Sequence, residues 1–226
     1  MGTITNKSSA KHTTPLLYSR GVWGWGFLFL FLAFCFISCS EKEEVGEYDN
    51  WKERNIQFAD SIANVAAANA DGSWEIIKAF NLGDDDNQYK GMTNYFIYVK
   101  KLEQGLGTLC PMYADSVRIH YSGRLIPTIQ HPQGYNFGKS YSSNVLDEST
   151  DVPTIFCVKQ NLVVGIATAL MHMHEGDHWM VYVPYYLGYG ETDYTKGAIP
   201  AYSTLIYDLK LAKIYRFKID TDTAWH

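Results

Sequence analysis

Residues 176–211, GDHWMVYVPYYLGYGETDYTKGAIPAYSTLIYDLKL, decide the fold. Trp179 to Val183 alternates apolar positions and stops at Pro184, the pattern of a half-buried strand. Leu187-Gly188-Tyr189-Gly190 then turns the chain, with glycines where positive φ or close backbone approach is expected. A polar excursion through Glu191, Asp193 and Lys196 leads to Ala198-Ile199-Pro200. Beyond it Leu205, Tyr207, Leu209 and Leu211 mark one face of a long second strand. The stretch is expected to form two strands joined by an aromatic loop.

Upstream, Tyr95 to Lys101 alternates and is rich in aromatic and β-branched residues, which predicts a strand, and Leu102 to Gly107 bends away from it. Val117, Ile119 and Tyr121 form one face of the next strand, with Arg118 and His120 on the other. Pro127, Pro132 and Gly134 make Arg124 to Tyr135 an irregular loop, and Phe156 with Val158 suggests a further short strand. Between Gly165 and Met173, the positions Ile166, Ala169, Leu170 and Met173 share one helical face. Strands surrounding a single helix predict an α+β domain with an antiparallel sheet.

Nearer the N-terminus, Trp51, Asn55, Phe58, Ile62 and Val65 recur at helical steps, and Ser73 or Asp71 is placed to cap a second short helix through Trp74, Ile77 and Phe80. This segment is read as docked on the main domain, with a dimerisation arm as the other reading. Gly83 to Asn87 is an acidic stretch without the ligand spacing of a calcium loop, and reads as a solvated turn.

The 226 residues suit one ordinary domain plus extra segments, and the net charge is −5. Lys7, Lys11 and Arg20 all precede the first acidic residue, Glu41, so the chain past the leader is more acidic than the whole. That balance, with no basic cluster, excludes nucleic acid as the expected partner. Gly21 to Ile37 is a continuous apolar run after a polar, positively charged start, the layout of a secretory signal. It ends Phe36-Ile37-Ser38-Cys39 before an abrupt change to Ser40-Glu41-Lys42-Glu43-Glu44. This resembles a bacterial lipoprotein lipobox, with Phe36 where leucine is usual, and implies lipid on Cys39. The acidic run after the cysteine is similar to the surface-export signal of Bacteroidetes lipoproteins, which implies the cell envelope, on the outer membrane. An uncleaved membrane anchor is the competing reading, since the run is near the ~17-residue lower limit for a span.

Taken in order, Val117-Arg118-Ile119-His120-Tyr121-Ser122-Gly123, then Phe137, Val163-Val164-Gly165-Ile166, Gly176-Asp177 and Leu187-Gly188-Tyr189-Gly190 with Ile199-Pro200 form an ordered series. Through it the chain resembles the FKBP-type peptidyl-prolyl cis-trans isomerases, over roughly residues 93 to 215. The resemblance implies an FKBP-like antiparallel sheet wrapped around one helix, here with an N-terminal helical extension. The organisation it suggests is a lipoprotein signal peptide over 1–38, a flexible tether over 39–50, a helical segment over 51–92 and the isomerase domain over 93–226. The implied catalytic residues are Tyr121, Phe137 and Tyr189, with Tyr189 matching the tyrosine whose hydroxyl bonds the substrate carbonyl. Val163, Ile166, Ile199, Tyr207 and Phe156 are the implied substrate-binding residues. The implied partners are proline-containing segments of exported proteins, and no cofactor is expected.

Three departures from the family stand out: Gly138 follows Phe137 where aspartate is usual, Ile166 replaces a pocket-floor tryptophan, and Tyr207 a phenylalanine. Gly138 keeps a second reading open, a non-catalytic FKBP-like peptide-binding or chaperone lipoprotein. A surface lipoprotein for nutrient capture is a third. His172, His174 and His178 invite a metal site, but Gly176 interrupts them and they read as turn histidines, so no metal is expected. Of the cysteines past Cys39, Cys110 and Cys157 are read as two separate buried thiols, with a disulfide as the alternative.

Overall fold

A computed structural model of the chain describes residues 46–143 and 145–217. The apolar leader and Cys39 lie outside the described residues. Within them an 18-residue helix, α1 (Trp51–Ala68), precedes the strands β1 (Trp74–Lys78), β2 (Phe96–Glu103), β3 (Ser116–Arg124), β4 (Asn136–Lys139) and β5 (Thr154–Cys157). A short helix, α2 (Val164–Leu170), then leads to β6 (His178–Val183) and β7 (Leu205–Tyr215). Among the described residues no helix is long and apolar enough to cross a membrane.

The strands form one seven-stranded sheet in the order β1-β2-β6-β7-β3-β4, with β5 also pairing β3, and every pairing is antiparallel. The alternation read in the sequence sets the two faces. Val99, Val181 and Tyr207 lie side by side on one face, and Tyr98, Tyr182 and Ile206 on the other. The first face holds α2. Gly165 permits this packing, because a Cβ there would fall 2.4 Å from Val183 Cγ1 and 3.2 Å from Ile97 Cγ2. Ile97, Val99, Val181, Val183, Leu209 and Leu211 are fully buried around Ile166, Ala169 and Leu170. The sheet curling around α2 is thus the expected FKBP-like architecture.

The opposite face is covered at one end by α1, whose Phe58 ring packs against Tyr182 while Trp74 stacks on the same tyrosine at 5.7 Å. Its buried stripe is Trp51, Asn55, Ala59 and Ala66, so the face expected from Trp51 to Val65 is rotated and Val65 is exposed. The sheet accepts small alanines where the helix comes closest, and these carry too little hydrophobicity to dominate a periodicity reading.

The segment from Trp74 is a strand, not the expected second helix. Asn69 ends α1 in the left-handed conformation, and its side chain accepts from the Trp74 N–H at 2.9 Å. Asp71 accepts from the Ser73 N–H and hydroxyl, and Gly72 takes φ +71°. The polar residues that resembled a helix cap therefore form a reverse turn, chemistry that the same side chains serve equally well. With the chain turned, Trp74-Glu75-Ile76-Ile77-Lys78 alternates against β2, residue for residue from Trp74↔Lys100 to Lys78↔Phe96. The 51–92 segment is consequently a helix followed by an edge strand of the main sheet.

Candidate functional site

The face of the sheet that cradles α2 opens, between β4, β5 and the β6–β7 loop, into a cavity of about 220 Å³. Tyr121 projects from β3, Phe137 and Gly138 from β4, Phe156 from β5, Val163 and Ile166 from the start of α2, and Tyr207 from β7. Tyr189 and Ile199 reach in from the loop. Every residue expected at a catalytic or substrate-binding position lines this one cavity.

The rings meet edge to face. Tyr121 and Phe156 lie 5.8 Å apart at 72°, and Phe137 and Tyr207 5.5 Å apart at 76°, an arrangement that sets the positive edge of one ring against the negative face of the next. Gly123, in Tyr121-Ser122-Gly123, makes room for it. A Cβ on Gly123 would fall 2.5 Å from Phe137 Cε2 and 3.0 Å from Tyr207 Cε1. The glycine of that motif is therefore required by the approach of two cavity rings, one from β4 and one from β7.

Tyr121 and Tyr189 keep raised phenol pKa values, chiefly because burial disfavours the phenolate; at Tyr189 the neighbouring Tyr194 and Tyr121 add to it. Burial raises that of Tyr207 further, again with Tyr189 and Tyr121 contributing. All three are thus neutral O–H donors at physiological pH. Among the described residues the Tyr189 hydroxyl makes no hydrogen bond to protein, and its ring is held flat against Tyr194 at 4.2 Å and 16°. The cavity offers hydrogen-bond donors among aromatic and aliphatic side chains, and its lining among the described residues holds no Cys, Ser, Thr, His, Asp or Glu.

Sequence reading missed Tyr194, Leu162, Asn161 and Lys196, which also line the cavity. Leu162 adjoins Val163 and was within reach. Tyr194 was not, because its place depends on a bridge to Ile199, where Tyr194 N–H donates to Ile199 O at 2.8 Å and Ile199 N–H to Tyr194 O at 3.1 Å. At Gly138 a Cβ would meet the Tyr121 ring and hydroxyl at 3.7 Å, ordinary van der Waals contact. The glycine is therefore not sterically imposed, and an aspartate there would set its carboxylate beside the Tyr121 hydroxyl.

The opposite face of the same strands carries a second crevice, of about 370 Å³. Here His120, Lys210, His178 and Glu103 form a row in register across β3, β7, β6 and β2. Lys210 Nζ lies 3.0 Å from Glu103 and 2.5 Å from Glu148, and His178 Nε2 lies 2.5 Å from Asp208. The hydrogen bond to Asp208 raises the His178 pKa against the effect of burial, while burial lowers that of His120, whose Nδ1 has no partner among the described residues.

The remaining histidines lie apart. His172 Nδ1 is 2.9 Å from Thr168 O, and His174 Nε2 is 3.4 Å from the sulfur of Cys110. Among the described residues no group of three or more His, Cys, Asp or Glu is placed to hold a metal ion. Cys110 and Cys157 are free thiols, each only partly buried where full burial was expected. In Gly176-Asp177 the aspartate is a structural residue, accepting from the Gly105 N–H at 2.7 Å and the His174 N–H at 2.8 Å.

Residues 108–212 match the FKBP-type peptidyl-prolyl cis-trans isomerase family. The chain is 32% identical over 117 residues to the macrophage infectivity potentiator of Trypanosoma cruzi, covering 51% of each protein. It is also 32% identical over 113 residues to the FKBP-type 22 kDa peptidyl-prolyl cis-trans isomerase of Escherichia coli (strain K12), covering 50% of this chain and 47% of that one. It thus spans about half the length of the curated relatives it matches. Among solved structures it is similar to a peptidyl-prolyl cis-trans isomerase from Pseudomonas syringae pv. tomato, with TM-score 0.49 and 19% identity, over 73% of this chain and 96% of that one. The three FKBP domains of wheat FKBP73 align at TM-score 0.45 and 22% identity, over 64% of this chain and 52% of that one. A sheet curled around one helix, a ring-lined cavity at its mouth and the match over residues 108–212 agree with one another: this stretch of the chain is similar to the FKBP-type peptidyl-prolyl cis-trans isomerase family.

Proposed function

We propose that this protein is a peptidyl-prolyl cis-trans isomerase, held at the bacterial cell envelope by lipid on Cys39, that assists the folding of exported or surface proteins. The observation that carries the isomerase reading is the meeting of Tyr121, Phe137, Phe156, Val163, Ile166, Tyr189, Ile199 and Tyr207 around one cavity. Amide resonance sets a rotation barrier of about 18–20 kcal/mol. Before proline the two isomers are close in energy, yet they exchange slowly. A catalyst therefore needs only to bind the twisted amide better than the planar one.

The cavity suits that task. Twisting the amide reduces its charge separation, and apolar walls solvate the planar, more polar form poorly. Tyr189 donates its free hydroxyl to the carbonyl on the N-terminal side of the proline, and burial keeps that proton in place. Tyr207 and Ile166 form the floor, Phe137 and Tyr121 one wall, and Ile199 the mouth. The envelope reading rests on the apolar run to Ile37 and on Ser38-Cys39. Intact mass of the mature protein tests it, since cleavage of the Ser38–Cys39 bond would remove residues 1–38 and acylation of Cys39 would add lipid.

Gly138 favours one second reading, a groove that holds a proline-bearing segment without turning it over, because Tyr121 here has no carboxylate beside its hydroxyl. A protease-coupled isomerisation assay over a panel of X-Pro peptides separates the two. Catalysis by the natural chain, rising when Gly138→Asp restores the carboxylate, supports the isomerase. Saturable peptide binding with no acceleration in either protein establishes the binding module instead.

A further inference from the structure

Three cavity residues, Tyr189, Tyr194 and Ile199, belong to the long loop between β6 and β7, so what fixes this loop fixes the cavity. Its descending end, Tyr202-Ser203-Thr204, is held by α1, a helix from outside residues 108–212. Trp51 Nε1–H donates to Ser203 Oγ at 2.9 Å, and Ser203 Oγ–H donates onward to Pro200 O at 2.6 Å. Asn55, wholly buried, accepts the Thr204 N–H on its side-chain oxygen at 2.7 Å. Its main-chain oxygen accepts from the Thr204 hydroxyl at 3.3 Å, and its side-chain NH₂ donates to Trp51 O at 2.7 Å.

The grip extends to the catalytic tyrosine. Lys52 Nζ sits 4.2 Å over the Tyr202 ring. Tyr202 takes φ +61°, a left-handed conformation that a tyrosine keeps only when its surroundings impose it. In that pose its N–H donates to Gly190 O at 2.8 Å, and its ring meets Tyr185 edge to face at 5.2 Å. Gly190 N–H in turn donates to Tyr185 O at 2.9 Å. Gly190 immediately follows Tyr189, so contacts run without a break from α1 through residues 202–204 to the backbone of the cavity phenol.

Docking alone does not require this chemistry. A helix that only covered apolar surface would be served by leucine at position 55, whereas a buried amide matched to a specific N–H fixes position as well as contact. We infer that Asn55, with Trp51 and Lys52, is a positioning residue for Tyr189, and that α1 is a working part of the isomerase unit: it braces the cavity loop. This rests on Tyr189 acting as proposed above.

The test uses Asn55→Ala and, because a buried change can unfold the chain, the exposed-side Lys52→Ala and the strain-relieving Tyr202→Gly. Two readouts are taken: kcat/KM on X-Pro peptides, and the ¹⁹F resonance of Tyr189 in protein labelled with fluorotyrosine, assigned by its loss in Tyr189→Phe. Asn55→Ala should lower kcat/KM about tenfold, the effect of one buried hydrogen bond, and broaden or shift the Tyr189 line at temperatures where circular dichroism is unchanged. In a Tyr189→Phe background the same substitution should cost less than about twofold, because coupled residues are not additive. Lys52→Ala and Tyr202→Gly should move the line in the same sense. An unchanged Tyr189 line in every folded variant, or losses that add fully to that of Tyr189→Phe, would overturn the proposal. If the chain proves to bind proline segments without isomerising them, the fluorine line alone decides, and the bracing role stands or falls apart from the catalytic one.

Discussion

The two faces of β3 and β7 are built from alternate residues of the same strands, yet they treat hydrogen-bonding groups in opposite ways. On the inner face Tyr121 and Tyr207 point phenols into a ring-lined cavity of about 220 Å³, and among the described residues the Tyr189 hydroxyl beside them has no protein partner. On the outer face Lys210, Asp208, His178, Glu103 and Glu148 saturate one another around a crevice of about 370 Å³. The larger hollow is therefore the less useful one. A site needs unsatisfied donors held where water cannot easily replace the ligand, and the inner face supplies them in its phenols, whereas on the outer face the unpartnered Nδ1 of His120 is itself buried.

Filling the inner cavity is the strongest way to break this contrast. Gly123→Val would push its side chain into Phe137, only 2.5 Å from the Cβ position, and tightly against Tyr207 at 3.0 Å. We expect about a hundredfold loss of kcat/KM, as for a misplaced binding surface, with about 2 kcal/mol lost in urea unfolding from overpacking. Retained activity would show that the ring pair does not shape the site. Tyr189→Phe keeps the ring and removes the donor, so kcat/KM should fall about tenfold while stability holds.

Changes on the outer face should leave the isomerase assay within about twofold and register in stability alone. His120→Leu removes a buried imidazole nitrogen that has no partner among the described residues, and should stabilise by about 1 kcal/mol in urea unfolding. A loss of stability would mean that this nitrogen is satisfied after all. His178 gives the smallest effect and the sharpest signature. Its bond to Asp208 raises its pKa above the unfolded value, so its contribution is complete below the unfolded pKa and declines as pH rises through the folded one. His178→Gln should therefore cost about 0.5–1 kcal/mol near pH 5.5 and less near pH 8.5. A cost that grows with pH would contradict the pairing.

How much of this was legible beforehand differs by element. The β6 and β7 alternation, the Ile166-Ala169-Leu170 face and the irregular loop from Arg124 were local patterns, and the structure keeps them, with Met173 buried but beyond the end of α2 at Leu170. Trp74 to Phe80 was misread because Asn69, Asp71 and Ser73 can cap a helix or close a turn, and only the neighbouring β2 edge selects the turn. Val65 was misassigned because alanines, not larger apolar residues, mark the docked stripe of α1. Tyr194 stayed hidden because stacking on Tyr189 depends on the fold of a loop without periodicity.

By itself the sequence determined which side chains could face a common interior, since period-two and period-3.6 patterns follow from backbone geometry alone. It also carried the ordered motifs that resemble the family, and the glycines without which the rings could not approach. Only the tertiary structure decided that α1 grips Ser203 and Thr204, because hydrogen bonds between residues 149 and 152 positions apart leave no trace in local pattern. The same reason separates the two faces of β3: whether a polar side chain is satisfied depends on strands brought beside it from elsewhere in the chain.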